Sequence, residues 1–241
     1  LISAIAAGNT VMLKPSELAP HTAEFLNRIL KDLFYEEEVA VFQGDHTVST
    51  ELLKLPFDHM FFTGAPNIGK IVMKAAAEHL SVCTLELGGK SPNIFFESIM
   101  EKDDEFFDKA IEGLVLFAFN SGEVCTCPSR ALIQESIYEP FMKRVLERVK
   151  AITQENPLDP TTKMGAQASV NQKEKILDYI RIGKEEGAEC LIGGGEYKNK
   201  TFPKGNYIQP TIFKGHNKMC IFQEEIFGPV LCVTTFKDEA E

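Results

Sequence analysis

Between Pro20 and Leu33 the apolar residues Phe25, Leu26, Ile29, Leu30 and Leu33 recur at helical spacing with charges opposite, and short apolar runs lie before and after. The pattern predicts a helix over 20–33, strands over 11–13, 39–42, 59–62 and 82–87, and helices over 47–54 and 68–80 between them. Strands and helices alternating at this pitch specify parallel strands joined by right-handed crossovers, the architecture of nucleotide-binding α/β sheets. Past Lys90 the order changes to a long helix over 103–120, a strand over 131–134, two further helices, and strands over 207–213 and 229–236. A domain boundary is therefore expected near Gly88 and Gly89, with residues 1–88 in one domain and 89–241 in the next.

Composition narrows the function classes. With 241 residues, 44% hydrophobic and 25% charged, the chain has enough apolar material for one large core or two modest ones. A net charge of −10 argues against nucleic acid as a partner, although a local basic pocket can still hold a phosphate. No apolar run reaches the length of about 20 residues that a bilayer crossing needs, so no membrane partner is expected. Six irregularly spaced cysteines fit reduced thiols in a cytoplasmic compartment better than a secreted disulfide scaffold. The opening LISAIAAGNT and the closing FGPVLCVTTFKDEAE both read as the interior of a domain, so the chain is expected to be an excerpt.

Three segments carry candidate chemistry. In FNSGEVCTCPSR, Cys125 and Cys127 stand one residue apart. Metal binding is disfavoured, because no second close pair exists and the five histidines are scattered. A disulfide at that spacing would be severely strained. Two small buried hydrophobes remain the ordinary alternative. Gly122, however, is a natural cap to the preceding apolar helix, which puts Cys125 on a loop that is held by rigid structure yet accessible, as a nucleophile requires. In TLELGGKSP, Glu86 interrupts an apolar strand at its carboxyl end, where ligands bind in open α/β sheets. Burial there would fit it to accept a proton near neutral pH; a salt-bridged or solvated edge glutamate is equally compatible with the spacing. In FFTGAPNIGK a strand passes through a glycine turn into a helix whose amino end could face a phosphate.

Taken with GNTVMLKPSE at 8–17 and EEIFGPV at 224–230, these segments resemble the aldehyde dehydrogenase superfamily, in the family order and over nearly the whole chain. The resemblance implies a Rossmann-like parallel-sheet cofactor domain followed by an α/β catalytic domain, each incomplete, in a non-acylating enzyme that oxidises a small-molecule aldehyde with NAD. It implies Cys125 as the nucleophile, Cys127 as a neighbouring thiol, and Glu86 as the base that activates water against the thioester. Lys14 and Glu17 match the pair that grips the adenosine ribose. Thr63, Gly64 and Gly69 match the turn near the pyrophosphate, and Leu87 and Gly88 the stretch beside the nicotinamide. Glu225 and Phe227 match the residues that hold and pack the nicotinamide ribose and ring. Glu17 repels the 2′-phosphate of NADP while Lys14 partly offsets that repulsion, so NAD is expected to be preferred with NADP admitted. A homo-oligomer is implied for the full-length polypeptide.

The sequence departs from the family pattern in places. Ala65 stands where many relatives have serine, which removes a hydroxyl near the pyrophosphate. The family's oxyanion asparagine and its oligomerisation strand match nothing in the 241 residues. The first part is most similar to the coniferyl and long-chain aldehyde branch and the second to the bacterial acetaldehyde branch, as either a mosaic joined near LELGGKSP or ordinary divergence would produce. A semialdehyde-specific relative and a catalytically silent structural relative are the alternatives; retention of both Cys125 and Glu86 favours the enzyme.

Overall fold

A computed structural model describes all of residues 1–241, which divide into two compact units, Leu1–Leu87 and Gly88–Glu241. The first runs α1 (Ile2–Ala6), β1 (Val11–Leu13), α2 (Pro20–Leu33), β2 (Val39–Val41), α3 (His46–Leu52), β3 (His59–Gly64), α4 (Pro66–Glu78) and β4 (Val82–Leu87). Proline opens both α2 and α4, where its missing N–H costs nothing. Asp45 caps α3 by accepting from the Thr47 amide. The strands form two separate parallel pairs, β1 with β2 and β3 with β4, rather than one continuous sheet. One face of the β3–β4 pair packs Met60, Phe62, Cys83 and Leu85 against Val72 and Ala76 of α4. The other is open, leaving Phe61 68% and Val82 63% exposed.

The second unit runs β5 (Pro92–Phe95), α5 (Glu105–Val115), β6 (Arg130–Gln134), α6 (Tyr138–Lys150), α7 (Val170–Glu185), β7 (Glu189–Ile192), β8 (Thr211–Lys214), α8 (Cys220–Gln223) and β9 (Val230–Phe236). Its strands form one sheet in the order β5-β6-β9-β8-β7, parallel except for β7 against β8. Central β9 is covered on both faces, so it is a near-continuous apolar run. Leu231 and Val233 join the core beneath α5 and α6, while Val230 and Cys232 join the core beneath α7 and α8. Side-chain caps open α5 and α7: the Asp104 carboxylate accepts from the Phe106 and Phe107 amides, and the Ser169 hydroxyl accepts from the Gln172 amide.

Several boundaries differ from the sequence expectation. The helix expected over 103–120 ends at Val115, where the bonding tightens to i→i+3 from Phe117 to Leu114, Ala118 to Val115 and Phe119 to Leu116, before Asn120 (φ 50), Ser121 (φ 59) and Gly122 (φ 69) turn the chain through left-handed conformations. The strand expected over 207–213 begins only at Thr211, since Pro210 offers no N–H to a ladder; before it only an isolated bridge joins Ile208 to Glu196. Edge strands β5 and β7 were not anticipated; β5 is a four-residue strand opening on proline, and β7 is paired on one side only.

Candidate active site

Of the six cysteines only Cys125 is exposed. It occupies a turn closed by the hydrogen bond from the Cys127 amide to the Val124 carbonyl at 3.0 Å. The second thiol is the anchor of that turn. Cys127 is 8% exposed within the apolar core, its Sγ lies 3.7 Å from the Phe117 carbonyl, and burial pushes its ionisation up to about 11. The x between the two cysteines therefore separates a presented thiol from a buried, inert one.

The amino-terminal leg of the turn is tied to the segment before α7. The buried Ser121 hydroxyl donates to the Gly165 and Ala166 carbonyls at 3.1 and 3.3 Å, and Gln167 Nε2 donates to the Ser121 carbonyl at 3.3 Å. The Ala168 amide donates to both Glu123 carboxylate oxygens at 3.1 and 3.3 Å. Burial holds the Glu123 carboxyl above the usual carboxylate range, with the Ala168 bond opposing. At Gly122 a Cβ would overlap the Gly228 backbone, so no other residue fits the left-handed corner.

Glu225 lies over Gly88 and Gly89. A Cβ at Gly88 would collide with the Glu225 carboxylate, and the Gly89 amide donates to Glu225 Oε1 at 3.1 Å. The position a Gly89 Cβ would take is 3.7 Å from the Cys125 carbonyl oxygen, so Glu225 and the Cys125 turn flank the same glycine pair. Phe227 holds a left-handed φ of 57°, fixed by Gln172 Nε2, which donates to the Ile226 and Phe227 carbonyls at 3.2 and 2.6 Å. The neighbouring Lys90 Nζ is buried without a partner. Burial lowers its ionisation below the usual lysine range, Arg130 reinforces the effect, and Cys232, Cys127 and Glu225 oppose it.

In the first unit, Lys14 follows β1 and reaches across to the segment after β2. Its Nζ donates to the Pro15 and Gly44 carbonyls, each at 2.9 Å, and to Glu17 at 3.2 Å. Glu17, half exposed, is held below the usual carboxylate range by a backbone hydrogen bond first and by Lys14 second. Thr63 pairs with Glu86 and Gly64 with Leu87 at the carboxyl ends of β3 and β4. Ala65 is the N-cap of α4 and offers its amides no side-chain acceptor. Gly69 is buried, and a Cβ there would sit 2.9 Å from Leu87 Cδ2; its place is the packing of α4 on β4. The burial expected of Glu86 is corrected by the structure. It is exposed, because β4 pairs only with β3 and Glu86 points from the open face of that pair.

Sequence reasoning missed Glu123, Gln167, Gln172 and Lys90. Lys90 and Glu123 lie inside segments that had been singled out, GGK and GEVC, and a titratable group there was the available signal. Gln167 and Gln172 act on residues 46 and 55 positions away and carry no local mark.

A family model for the aldehyde dehydrogenase family matches residues 1–241. The chain belongs to the aldehyde dehydrogenase family. An aldehyde dehydrogenase of Deinococcus radiodurans is 56% identical over 243 residues, covering 100% of this chain and 47% of its own length. Acetaldehyde dehydrogenase 2 of Cupriavidus necator is 54% identical over 244 residues, covering 100% of this chain and 48% of its own. A betaine aldehyde dehydrogenase from Staphylococcus aureus, solved in complex with NAD+, superimposes with a TM-score of 0.88 at 33% identity, over 96% of this chain and 46% of that one. The fold is thus the Rossmann-like α/β fold of aldehyde dehydrogenases, and this chain spans about half the length of the relatives it matches. Both curated aldehyde dehydrogenases cover the segments on either side of LELGGKSP. No helix of this family member is long and apolar enough to cross a membrane.

Proposed function

We propose that the protein oxidises an aldehyde to the carboxylic acid with NAD+, with Cys125 as nucleophile and Glu86 as the base for water. The observation that carries this reading is the exposed Cys125 on a turn anchored at both legs, beside a Cys127 that is buried and inert. The Cys125 amide donates to no protein acceptor, which leaves it free to meet the oxygen of a carbonyl.

The residues present fit a dinucleotide. Lys14 and the half-exposed Glu17 offer a donor and an acceptor at the carboxyl ends of a parallel pair, and the uncapped first turn of the 13-residue α4 leaves the Asn67 amide for a diphosphate. Thr63 and Gly64 line the approach to that turn, and Gly69 lets α4 lie close to β4. Leu87, Gly88, Glu225 and Phe227 are assigned to the nicotinamide end. Bound there, NAD+ supplies the hydride acceptor that turns the Cys125 adduct into a thioester.

The remaining steps belong to the chain. Cys125 Sγ forms a bond to the aldehyde carbon while the carbonyl oxygen takes up the electron pair. Glu86, exposed to solvent, takes a proton from a water as the water oxygen attacks the thioester carbon. The carbon–sulfur bond breaks with its electron pair going to Cys125 Sγ, and the acid departs. NAD is favoured over NADP because the Glu17 carboxylate accepts from a 2′-hydroxyl and repels a 2′-phosphate. A cytosolic, homo-oligomeric protein is the corresponding reading for the complete polypeptide, supported in part by six free thiols.

The test is a pair of variants in the complete protein. Cys125→Ala should abolish NADH formation from an aldehyde while NAD+ still binds, and Cys127→Ala should remain active. Equal loss in both would remove Cys125 from its role.

A further inference from the structure

Lys90 Nζ carries the only charge among the buried side-chain polar atoms that lack a hydrogen-bond partner. The main chain at this residue is pinned on both sides. The Lys90 carbonyl accepts from Arg130 Nε at 2.8 Å, Arg130 Nη1 donates in turn to Asn217 Oδ1 at 3.1 Å, and the preceding Gly89 amide donates to Glu225 Oε1 at 3.1 Å. A lysine stem normally carries its ammonium out to water; here the ammonium is the buried end. Taken by itself that is a net cost to the fold. Groups that cost stability with no local return concentrate at functional sites.

The surroundings of Nζ identify what it acts on. Burial is the largest influence on its ionisation and lowers it; Cys232 and Cys127 raise it, Arg130 lowers it, and Glu225 raises it. Burial also pushes the ionisation of both thiols up to about 11, so at neutral pH they are uncharged and the negative charge that Lys90 meets is Glu225. Lys90 and Glu225 act with opposite sign on the same Cys127 thiol, so all three groups share one locality. Glu225 is lightly held there. Its carboxylate accepts one hydrogen bond, from the Gly89 amide, and borders a space of about 10 Å³ that Cys127 and Ser129 also line, so packing does not fix its place.

We propose that Lys90 is a positioning residue for the nicotinamide end of the cofactor site: its buried ammonium holds the Glu225 carboxylate over the Gly88–Gly89 pair, where that carboxylate accepts from the nicotinamide ribose. The inference rests on Glu225 being the ribose acceptor. Nζ has no hydrogen-bond partner, so the attraction acts across a gap, and a charge inside the protein is screened far less than one at the surface.

The experiment is a double-mutant cycle of Lys90→Met and Glu225→Gln in the complete protein, read by the Kd for NAD+ and by the urea midpoint, both at pH 7. Lys90→Met should weaken NAD+ binding roughly tenfold in the wild-type background and about twofold or less beside Glu225→Gln, where no carboxylate charge is left to place. In urea, Lys90→Met should raise the midpoint, and raise it further beside Glu225→Gln, where the ammonium has lost its countercharge. A lysine that only packs would shift the midpoint with no coupling to Glu225 in either readout. Midpoints that add without coupling, or a Lys90→Met protein that keeps wild-type NAD+ affinity where Glu225→Gln loses it, overturn the proposal. Coupled midpoints with Glu225→Gln alone binding NAD+ as the wild type does would instead remove the ribose reading and leave Lys90 as the residue that seats Glu225.

Discussion

Replacing Gly122 by alanine loads the Cys125 turn in two separable ways. The left-handed φ of 69° costs any residue with a Cβ about 1–2 kcal/mol. The Cβ would also overlap the carbonyl of Gly228 and stand 2.5 Å from the Pro229 nitrogen, and these are backbone atoms that cannot rotate away. Gly228 is itself packed against Ile176, whose Cδ1 lies 2.5 Å from where a Gly228 Cβ would stand. Overpacking of this kind adds about 1–3 kcal/mol. Gly187 is the natural control: its φ is 86°, and nothing lies within 4 Å of a Cβ built there. Gly187→Ala should therefore cost about 1 kcal/mol, and Gly122→Ala about 3 kcal/mol. Urea unfolding of the two variants, compared at equal m, measures the difference directly. Two midpoints within about 0.5 kcal/mol of each other would show that the Gly122–Gly228 contact yields freely and that the turn is not held as described.

Further outcomes follow from the buried charges and from the ribose pair. Lys90→Met removes an ammonium whose Nζ has no partner. An unsatisfied buried donor costs about 1–3 kcal/mol, so the variant should be more stable at pH 7, with the gain shrinking as pH rises toward 10.5 and the wild-type lysine loses its proton in both states. Glu123→Gln should also gain stability, with the opposite approach: the folded state binds the Glu123 proton more tightly than the unfolded chain, so wild-type stability is lost as pH rises through the carboxyl's raised range and the variant's advantage is present at pH 8 and absent near pH 4. Thermal unfolding at three pH values checks both signs. Glu17→Gln should improve NADP relative to NAD in a cofactor titration, and no relative gain would count against Glu17 as the discriminating carboxylate.

How far the sequence carries depends on how local each determinant is. Helix α2 is legible at both ends, because Pro20 opens it and its apolar face runs to Leu33 within one segment. Helix α5 is overestimated for the complementary reason. Its apolar pattern continues through Phe117 and Phe119, whereas the left-handed turn that follows them answers to Gly228, more than a hundred residues away. Cys125 is legible from a glycine and a spacing, whereas the ties that hold its turn come from 165–168 and have no signature of their own. The exposure of Glu86 shows the limit of reading burial from an apolar strand: whether a strand is covered on one face or two is decided by what packs on it, and β4 is covered on one.

The most direct test of the account is to trap the acyl group. Glu86→Gln in the complete protein, mixed with an aldehyde and NAD+ and quenched in acid, should accumulate a thioester that fragment mass spectrometry places on Cys125 and not on Cys127, with no adduct when Cys125→Ala is added. An acyl group found on Cys127, or an aldehyde oxidised at the wild-type rate with no adduct on either thiol, would contradict the assignment of the presented and the anchoring cysteine.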